Sequence, residues 1–598
     1  GWHDVDGVVG AEYTITRGNN VLAQLDEDGN DGDGYSPDGS ATLSFDYTLD
    51  FDQQPIGYKD AAVTNLFYMN NMMHDIWFNY GFDEQSGNFQ EKNYTGPPLT
   101  EGDAVNADAQ DGGGIGNANF GTPPDGSSPR MQMYLWSPAD GDILTINNGT
   151  LSGTYVGAAA GFGDQLPEPP LTADLGLLVD SQGDDVNDGC ELVPFSLAGK
   201  IAVIRRGNCE FGFKVSNAET MGAIAAIVVN NEPGGAFSMS PGEDGDGVAI
   251  PSIMVNQTDG EAIIAALING ETISASLISP IYIDGDFDNG VIAHEYGHGI
   301  SNRLTGGAAT ADCLSNQEQM GEGWSDWFGL MVTMESSDKA TDVRGIGTFA
   351  LDQDTDGQGI RTQQYSTDKA VNNFTFADSN TQVVPHGVGS VWATMLWDLT
   401  WAYIDKYGFD ADLYNGTGGN NKAMELVIKG LMLQACNPGF IDGRNAVLAA
   451  DFDLTGGENQ CIIWEVFAAR GLGFAADQGD SSSSNDQTED YTVPNESDVI
   501  GAGLPTLANC QALSTRGFNT KDYKIYPNPT NGKLIIKTTK SFGDAVITLS
   551  DINGRLVLSQ KAILLGEVEL NVSTLQSGIY ILNIKGQYIN AIEKIIKN

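Results

Sequence analysis

Residues 294–298 read His-Glu-Tyr-Gly-His, two of the chain's five histidines set four apart around a glutamate. A helix through this segment stacks both imidazoles on one face, about the separation at which two ligands grip one metal ion. Asp288 or Asn289 is placed to cap the helix start, and Gly306–Gly307 to end it. Glu295 lies beside the pair and reaches an open position next to the metal, where it takes a proton from an attacking water. The bare pattern also arises by chance in roughly a few per cent of chains this long, so it needs support from elsewhere.

A catalytic zinc of this kind wants a third protein ligand. The stretch NQEQMGEGWSD offers Glu318 and Glu322. Glu322 is preferred, because Asp326 follows it by one helical turn and can accept the second ring N–H of a ligating histidine. Glu318 has only Glu322 at that offset, which crowds like charges. His386 opens the helical pattern PHGVGSVW and has two readings, a donor to the oxyanion of a tetrahedral intermediate or a helix cap with no chemistry. His74, among Met72, Met73, Ile76 and Trp77, reads as packing, and His3 carries no signal.

Eighty acidic against 29 basic residues give a net charge of −51, which argues against nucleic-acid or anionic-membrane partners. No apolar run is long enough to span a membrane. The chain begins at Gly1 without a leader, from which we expect that a signal or pro-segment has been removed. Its six cysteines form no C-x-x-C and fit disulfides in an oxidising compartment; the pairs nearest in sequence are Cys190–Cys209 and Cys436–Cys461.

Apolar residues recur at helical spacing from Ala61 to Gly81, and MQMYLW reads as a strand after a Pro-Pro-Asp-Gly turn. Between about Leu144 and Leu277, strands such as GKIAVIRRG and IAAIVVNN alternate with short helices, the mark of a small α/β unit. Helical patterns dominate from the histidine motif to about residue 474, then comes the polar, low-complexity ADQGDSSSSNDQTEDYTVPNESD. From about Asp522, short strands separated by turns form a small all-β domain.

With these residues in view, the chain resembles the fungalysin family of zinc metallopeptidases. The likeness runs in order through GWHDVDG, NNMMHDIWFNYGFDEQSGNFQ, NANFGTPPDG, PRMQMYLW, HEYGHGISNRLTGG, MGEGWSDWF, PHGVGSVW and CIIWEVFAARGLG. It implies an α+β multidomain protein with a thermolysin-like zincin catalytic domain, a β-rich half and a helical half with one catalytic Zn2+ in the cleft. It further implies His294, His298 and Glu322 as ligands, Glu295 as base and His386 as transition-state donor. By looser analogy, Asn117 and Ala118 bind substrate backbone and Arg361 steadies the substrate carbonyl.

Residues 141–280 resemble a protease-associated domain, and YKIYPNPTNGKLIIKT onward resembles a type IX secretion sorting domain. The expected division is therefore residues 1–140 and 281–475 for the catalytic domain, 141–280 for the insert, 476–520 for a polar linker and tail of the catalytic domain, and 521–598 for a C-terminal β-sandwich. A structural Ca2+ is a further expectation. Asp352, Asp354 and Asp356 in DQDTDG begin like a calcium loop, although position twelve is Gln363 rather than Glu. DEDGNDGDG (Asp26 to Gly34) is acidic enough to hold an ion without matching a defined loop.

The expected function is a secreted, monomeric zinc endopeptidase acting on proteins or peptides, with cell-surface attachment through the C-terminal domain. Two rivals are a secreted binding or adhesion protein with an inactive site, and an exopeptidase.

Overall fold

Helix Lys59–Asn79 buries Ala62, Val63, Leu66, Phe67, Met73, Ile76 and Trp77, an apolar stripe at three- and four-residue spacing. In the computed structural model this stripe lies on strands Val21–Leu25 and Val105–Ala109 and on helix Asn289–Leu304. The structure describes residues 2–95, 100–138, 141–180, 185–191, 196–242, 247–494, 510, 523–538, 542–551, 555–586 and 589–598. They fall into two compact units, residues 1–493 and 494–598.

In the first unit, the sheet beneath the long helix runs Val21–Leu25, Val105–Ala109, Arg130–Met133 and Ala118–Gly121. The first three strands are parallel, and Ala118–Gly121 is antiparallel at the edge. The single strand expected across MQMYLW divides. Arg130–Met133 stays in this sheet, while Leu135–Trp136 pairs with Ile283–Asp284, just before the histidine helix. Helices Gly321–Val332, His386–Tyr407, Gly419–Leu433, Phe440–Thr455 and Gln460–Ala469 build the other half. Buried indoles hold it together: Trp324 meets Trp392 edge-on at 5.0 Å, and Trp392 stacks on Phe467 at 5.6 Å. Trp77 against Phe328 at 4.6 Å joins the two halves, and each buried indole contributes about 5 kcal/mol of gross apolar burial.

The expected α/β character of the insert has a concrete form. Seven strands close into a ring in the order Ala225–Val229, Ser252–Val255, Gly153–Ala159, Gly141–Ile146, Ser274–Leu277, Leu171–Leu177 and Ile201–Arg205. Helices Phe211–Thr220 and Gln257–Ile268 cover it. The unbroken apolar runs follow from burial on both faces. Ile201, Val203, Ala225, Ile227 and Val229 enter one core, and their alternates Ala202, Ile204, Ala226 and Val228 enter a second core with Leu178, Val215 and Met254.

One expectation needs correction. Cys190 pairs with Cys209, but Cys436 pairs with Cys313, 123 residues away, rather than with Cys461. Helix Phe440–Thr455 carries the chain away between Cys436 and Cys461, so nearness in sequence misleads; Cys461 is itself disulfide-bonded. Of the stretch read as polar linker and tail of the catalytic domain, the part up to Val493 lies in the first unit. The Gly473 N–H donates to the Asp490 carbonyl at 2.7 Å, and that of Glu318 to Ser481 at 3.1 Å. Apart from Val493, Pro494 and Cys510, residues 493–520 lie outside the described residues.

From Tyr523 onward, the described elements of the second unit are all β-strands. Three strands, Tyr523–Tyr526, Lys533–Thr538 and Glu567–Asn571, and four strands, Leu556–Leu564, Gly543–Asp551, Gly578–Gly586 and Ile589–Lys597, form two antiparallel sheets. Leu534, Ile536, Ile547, Leu549, Leu570, Leu582 and Ile595 make one shared core, as in a sandwich.

Candidate metal centre

Helix Asn289–Leu304 starts where its sequence says it should, with Asp288 Oδ1 accepting the Val291 N–H at 3.0 Å. It ends at Leu304, ahead of Gly306 and Gly307, which both adopt positive φ. The helical register sets His294 Nε2 and His298 Nε2 3.1 Å apart. Helix Gly321–Val332 packs alongside and carries Glu322 in its first turn. Glu322 Oε2 lies 3.4 Å from His294 Nε2, and Oε1 3.7 Å from His298 Nε2. A tetrahedral zinc with bonds of about 2.0–2.1 Å spaces its nitrogen and oxygen ligands about 3.3 Å apart, so this triangle fits the ion.

His386 comes to the same point on helix His386–Tyr407. A Cβ on Gly389 would stand 2.4 Å from Glu322 Cβ, and one on Gly323 would stand 2.2 Å from the Gly389 carbonyl oxygen. Only glycine at both positions lets the two helices cross this closely, and the crossing brings His386 Nε2 within 3.5 Å of Glu322 Oε1. The N-cap is Pro385 and no side chain caps this helix, so the cap reading of His386 finds no support. The imidazole is 61% exposed and free to meet a ligand in the cleft.

Electrostatics point the same way. Burial alone would lower His294, but Asp326 and Glu322 outweigh it and raise the imidazole to about 10. Burial lowers His298 to about 4. Two facing nitrogens pushed in opposite directions compete for one proton at a point where a cation satisfies both. Burial raises the Glu295 carboxyl to about 7. It would raise Glu322 and Asp326 too, but the imidazoles and the Arg361 guanidinium hold both well below the ordinary carboxylate range.

Behind the triangle, Asp326 Oδ1 sits 2.8 Å from His294 Nδ1, a close ion-pair contact that is poorly aligned as a hydrogen bond. Arg361 donates from Nε to Asp326 at 2.8 Å and from Nη2 to Asp326 at 2.7 Å and to Glu322 at 3.0 Å. The Tyr365 hydroxyl donates to Asp326 Oδ2 at 2.5 Å. Tyr365 was not singled out from the sequence, because no local spacing ties residue 365 to residue 326. Glu318, the competing ligand, is fully buried and accepts the Phe440 N–H at 3.0 Å, serving the start of helix Phe440–Thr455 instead. Burial pushes its carboxyl up to about 8.

These groups share a cleft of about 310 Å³ with Asn117, Ala118, Asn119 and Phe120 on and beside the edge strand, and with Val291, Ile346 and Ile360. Asn117, Ala118 and Arg361 therefore lie where substrate contact was expected. A larger hollow of about 520 Å³ holds His74 but none of the converging ligands. There His74 is engaged by Asp75 at 3.0 Å and Asn88 at 3.1 Å, in keeping with a packing role. Asp352, Asp354 and Asp356 are exposed and form no metal-sized cluster among the described residues.

A family model described as fungalysin metallopeptidase (M36) matches residues 1–476, and one described as a secretion system C-terminal sorting domain matches residues 524–598. The chain is 33% identical over 496 residues to extracellular metalloproteinase MEP of Fusarium vanettenii, covering 81% of this chain and 54% of that protein. It is 30% identical over 494 residues to extracellular metalloproteinase 2 of Trichophyton tonsurans, covering 81% and 55%. The chain thus spans about half the length of the curated relatives it matches. Among solved structures, an aminopeptidase from Aneurinibacillus sp. strain AM-1 aligns at 25% identity over 28% of this chain and 34% of its own, with a TM-score of 0.20. That overlap is too slight to say anything of this fold.

Proposed function

The chain belongs to the fungalysin (M36) metallopeptidase family, and from that premise we propose that it is a secreted zinc endopeptidase that hydrolyses internal peptide bonds. The observation that carries this reading is the convergence of His294, His298 and Glu322 within metal-bonding distance of one point, with Glu295 and His386 facing the same cleft. These three residues would hold the zinc, which when bound supplies a Lewis acid that acidifies water and polarises a carbonyl. Everything else falls to the chain's own groups.

Glu295, buried and with its proton affinity raised towards neutrality, accepts a proton from the attacking water and returns it to the leaving amine. His386 donates a hydrogen bond to the oxygen on which negative charge builds. Among the described residues, the edge strand Ala118–Gly121 has a strand on one side only, and an extended peptide laid against Asn117 and Ala118 extends the sheet. Arg361, already fixed by Glu322 and Asp326, faces the substrate carbonyl beyond the cut. Asp326 holds the His294 ring in place from behind.

We read the inserted ring of strands as a protease-associated domain that restricts or recruits substrate. The C-terminal sorting domain directs export and surface attachment. No described helix is long and apolar enough to cross a membrane.

The test is zinc content together with cleavage of unfolded casein, with and without a chelator. One zinc per chain and internal cuts abolished by the chelator are expected. Release of single terminal residues would favour an exopeptidase, and bound zinc without cleavage would favour an inactive binding protein.

A further inference from the structure

Outside the cleft, among the described residues, Asp180, Asp188 and Glu191 form a carboxylate group whose most buried member has no hydrogen-bond partner. Asp180, after strand Leu171–Leu177, is fully buried, and neither carboxylate oxygen has a hydrogen-bond donor. Asp188, also buried, and Glu191 bring one oxygen each to the same place, all three within 4.8 Å of one another. Glu191 Oε2 has no donor either. A buried carboxylate without a donor pays its full desolvation cost, and three together add mutual repulsion.

The neighbouring cations relieve this only in part: Lys214 acts on the three carboxylates through space without bonding to their oxygens. Lys214, fully buried, gives its Nζ donors to the Asp188 main-chain oxygen at 2.5 Å and to Cys190 Sγ at 3.2 Å. Arg205 is committed to Asp185 at 2.7 Å and to Glu261 at 2.6 Å. Asp188 accepts the Cys190 N–H and the Asn208 amide, each at 3.1 Å, which orients it without neutralising it. The cluster formed by Asp26, Asp31, Asp108 and Asp111 is different. There Arg130, Gln24, Gln132 and main-chain N–H groups already occupy the oxygens.

We propose that Asp180, Asp188 and Glu191 form a Ca2+ site that braces the insert. Calcium takes six to eight oxygens at about 2.3–2.6 Å, so oxygens bound to one ion stand no more than about 5 Å apart, the spacing found here. Water completes the shell. All the available donors are carboxylate oxygens, and Cys190 and Cys209 are tied to each other, so a soft metal has nothing to bind. The ion would join the chain leaving strand Leu171–Leu177 to the turn anchored by the Cys190–Cys209 bridge, which in turn faces helix Phe211–Thr220.

The experiment uses the full chain, zinc-loaded and freed of calcium, in a Glu295→Gln background that prevents self-digestion. Calcium chloride is titrated by calorimetry into this protein and into versions carrying Asp180→Asn or Glu191→Gln. The parent should bind at least one more Ca2+ than either variant, with a Kd at or below about 10⁻³ M, or the variants should bind that ion at least about tenfold more weakly. Saturating calcium should raise the parent's unfolding midpoint by about 2 °C or more and leave the Asp180→Asn midpoint unmoved. Equal stoichiometry and affinity in parent and variants overturns the site. So does a parent indifferent to calcium. If Asp180→Asn fails to fold, Glu191→Gln, at the more accessible carboxylate, decides the question. None of these readouts depends on peptidase activity, so failure here leaves the proposed function standing.

Discussion

Glu295→Gln is expected to keep one zinc per chain and to lose peptide cleavage by about 10²–10⁴-fold in kcat, the range that a positioned general base contributes. Glutamine preserves the length, shape and one acceptor oxygen of the side chain, so the buried position next to His294 stays filled. It cannot take up a proton, and that is the property the reaction uses. The three converging ligand atoms belong to His294, His298 and Glu322 and are untouched by the change. Metal content and turnover should therefore separate. The measurement is zinc per chain by elemental analysis beside initial rates on a defined peptide. Unchanged turnover with zinc present would remove Glu295 from the mechanism; joint loss of zinc and turnover would make it part of metal binding.

How far the sequence reaches is visible in which residues it located. The pairing of His294 with His298, and of Glu322 with Asp326, depends on helical repeat alone, and repeat is a local property. The insert's strands were legible for the same reason, since a period of two fills two cores from one apolar run. Closure over long distances leaves no such mark. Tyr365 reaches Asp326 through a loop with no periodicity, and Cys313 finds Cys436 because helices pack, not because the sequence spaces them. The acidic run at Asp352 had the right letters for a calcium loop, yet its carboxylates are not among the groups that converge among the described residues. Asp180, in contrast, stands in one of several acidic stretches, DSQGDDVNDGCE, and is conspicuous only once its burial and its missing donors are seen. Burial of a charge is a property of the fold, so an acidic run does not announce which of its carboxylates is buried.

Asp326 gives the second large effect, because it supports both the metal triangle and the buried charge around it. Its two oxygens receive Arg361 Nε and Nη2 and the Tyr365 hydroxyl, and one of them faces His294 Nδ1. In Asp326→Ala, the Arg361 guanidinium stays buried with Glu322 as its remaining carboxylate partner, and Tyr365 loses its acceptor. Removing one member of a buried ion pair costs about 3–5 kcal/mol where the other charge is left without compensation, and the loss here should fall at or below that range because Glu322 still faces Arg361. The His294 ring also loses its anchor, which should weaken zinc binding by about 10–100-fold. Asp326→Asn separates the two effects. The amide keeps the volume and one acceptor for Arg361 but abolishes the charge facing His294, so it should weaken zinc while unfolding less readily than the alanine variant. Competition with a metal indicator at neutral pH measures the first quantity, and urea unfolding of the zinc-free chain measures the second. If Asp326→Ala binds zinc as tightly as the parent, the carboxylate is a stabilising partner of Arg361 alone, and the 2.8 Å approach to His294 does nothing for the metal.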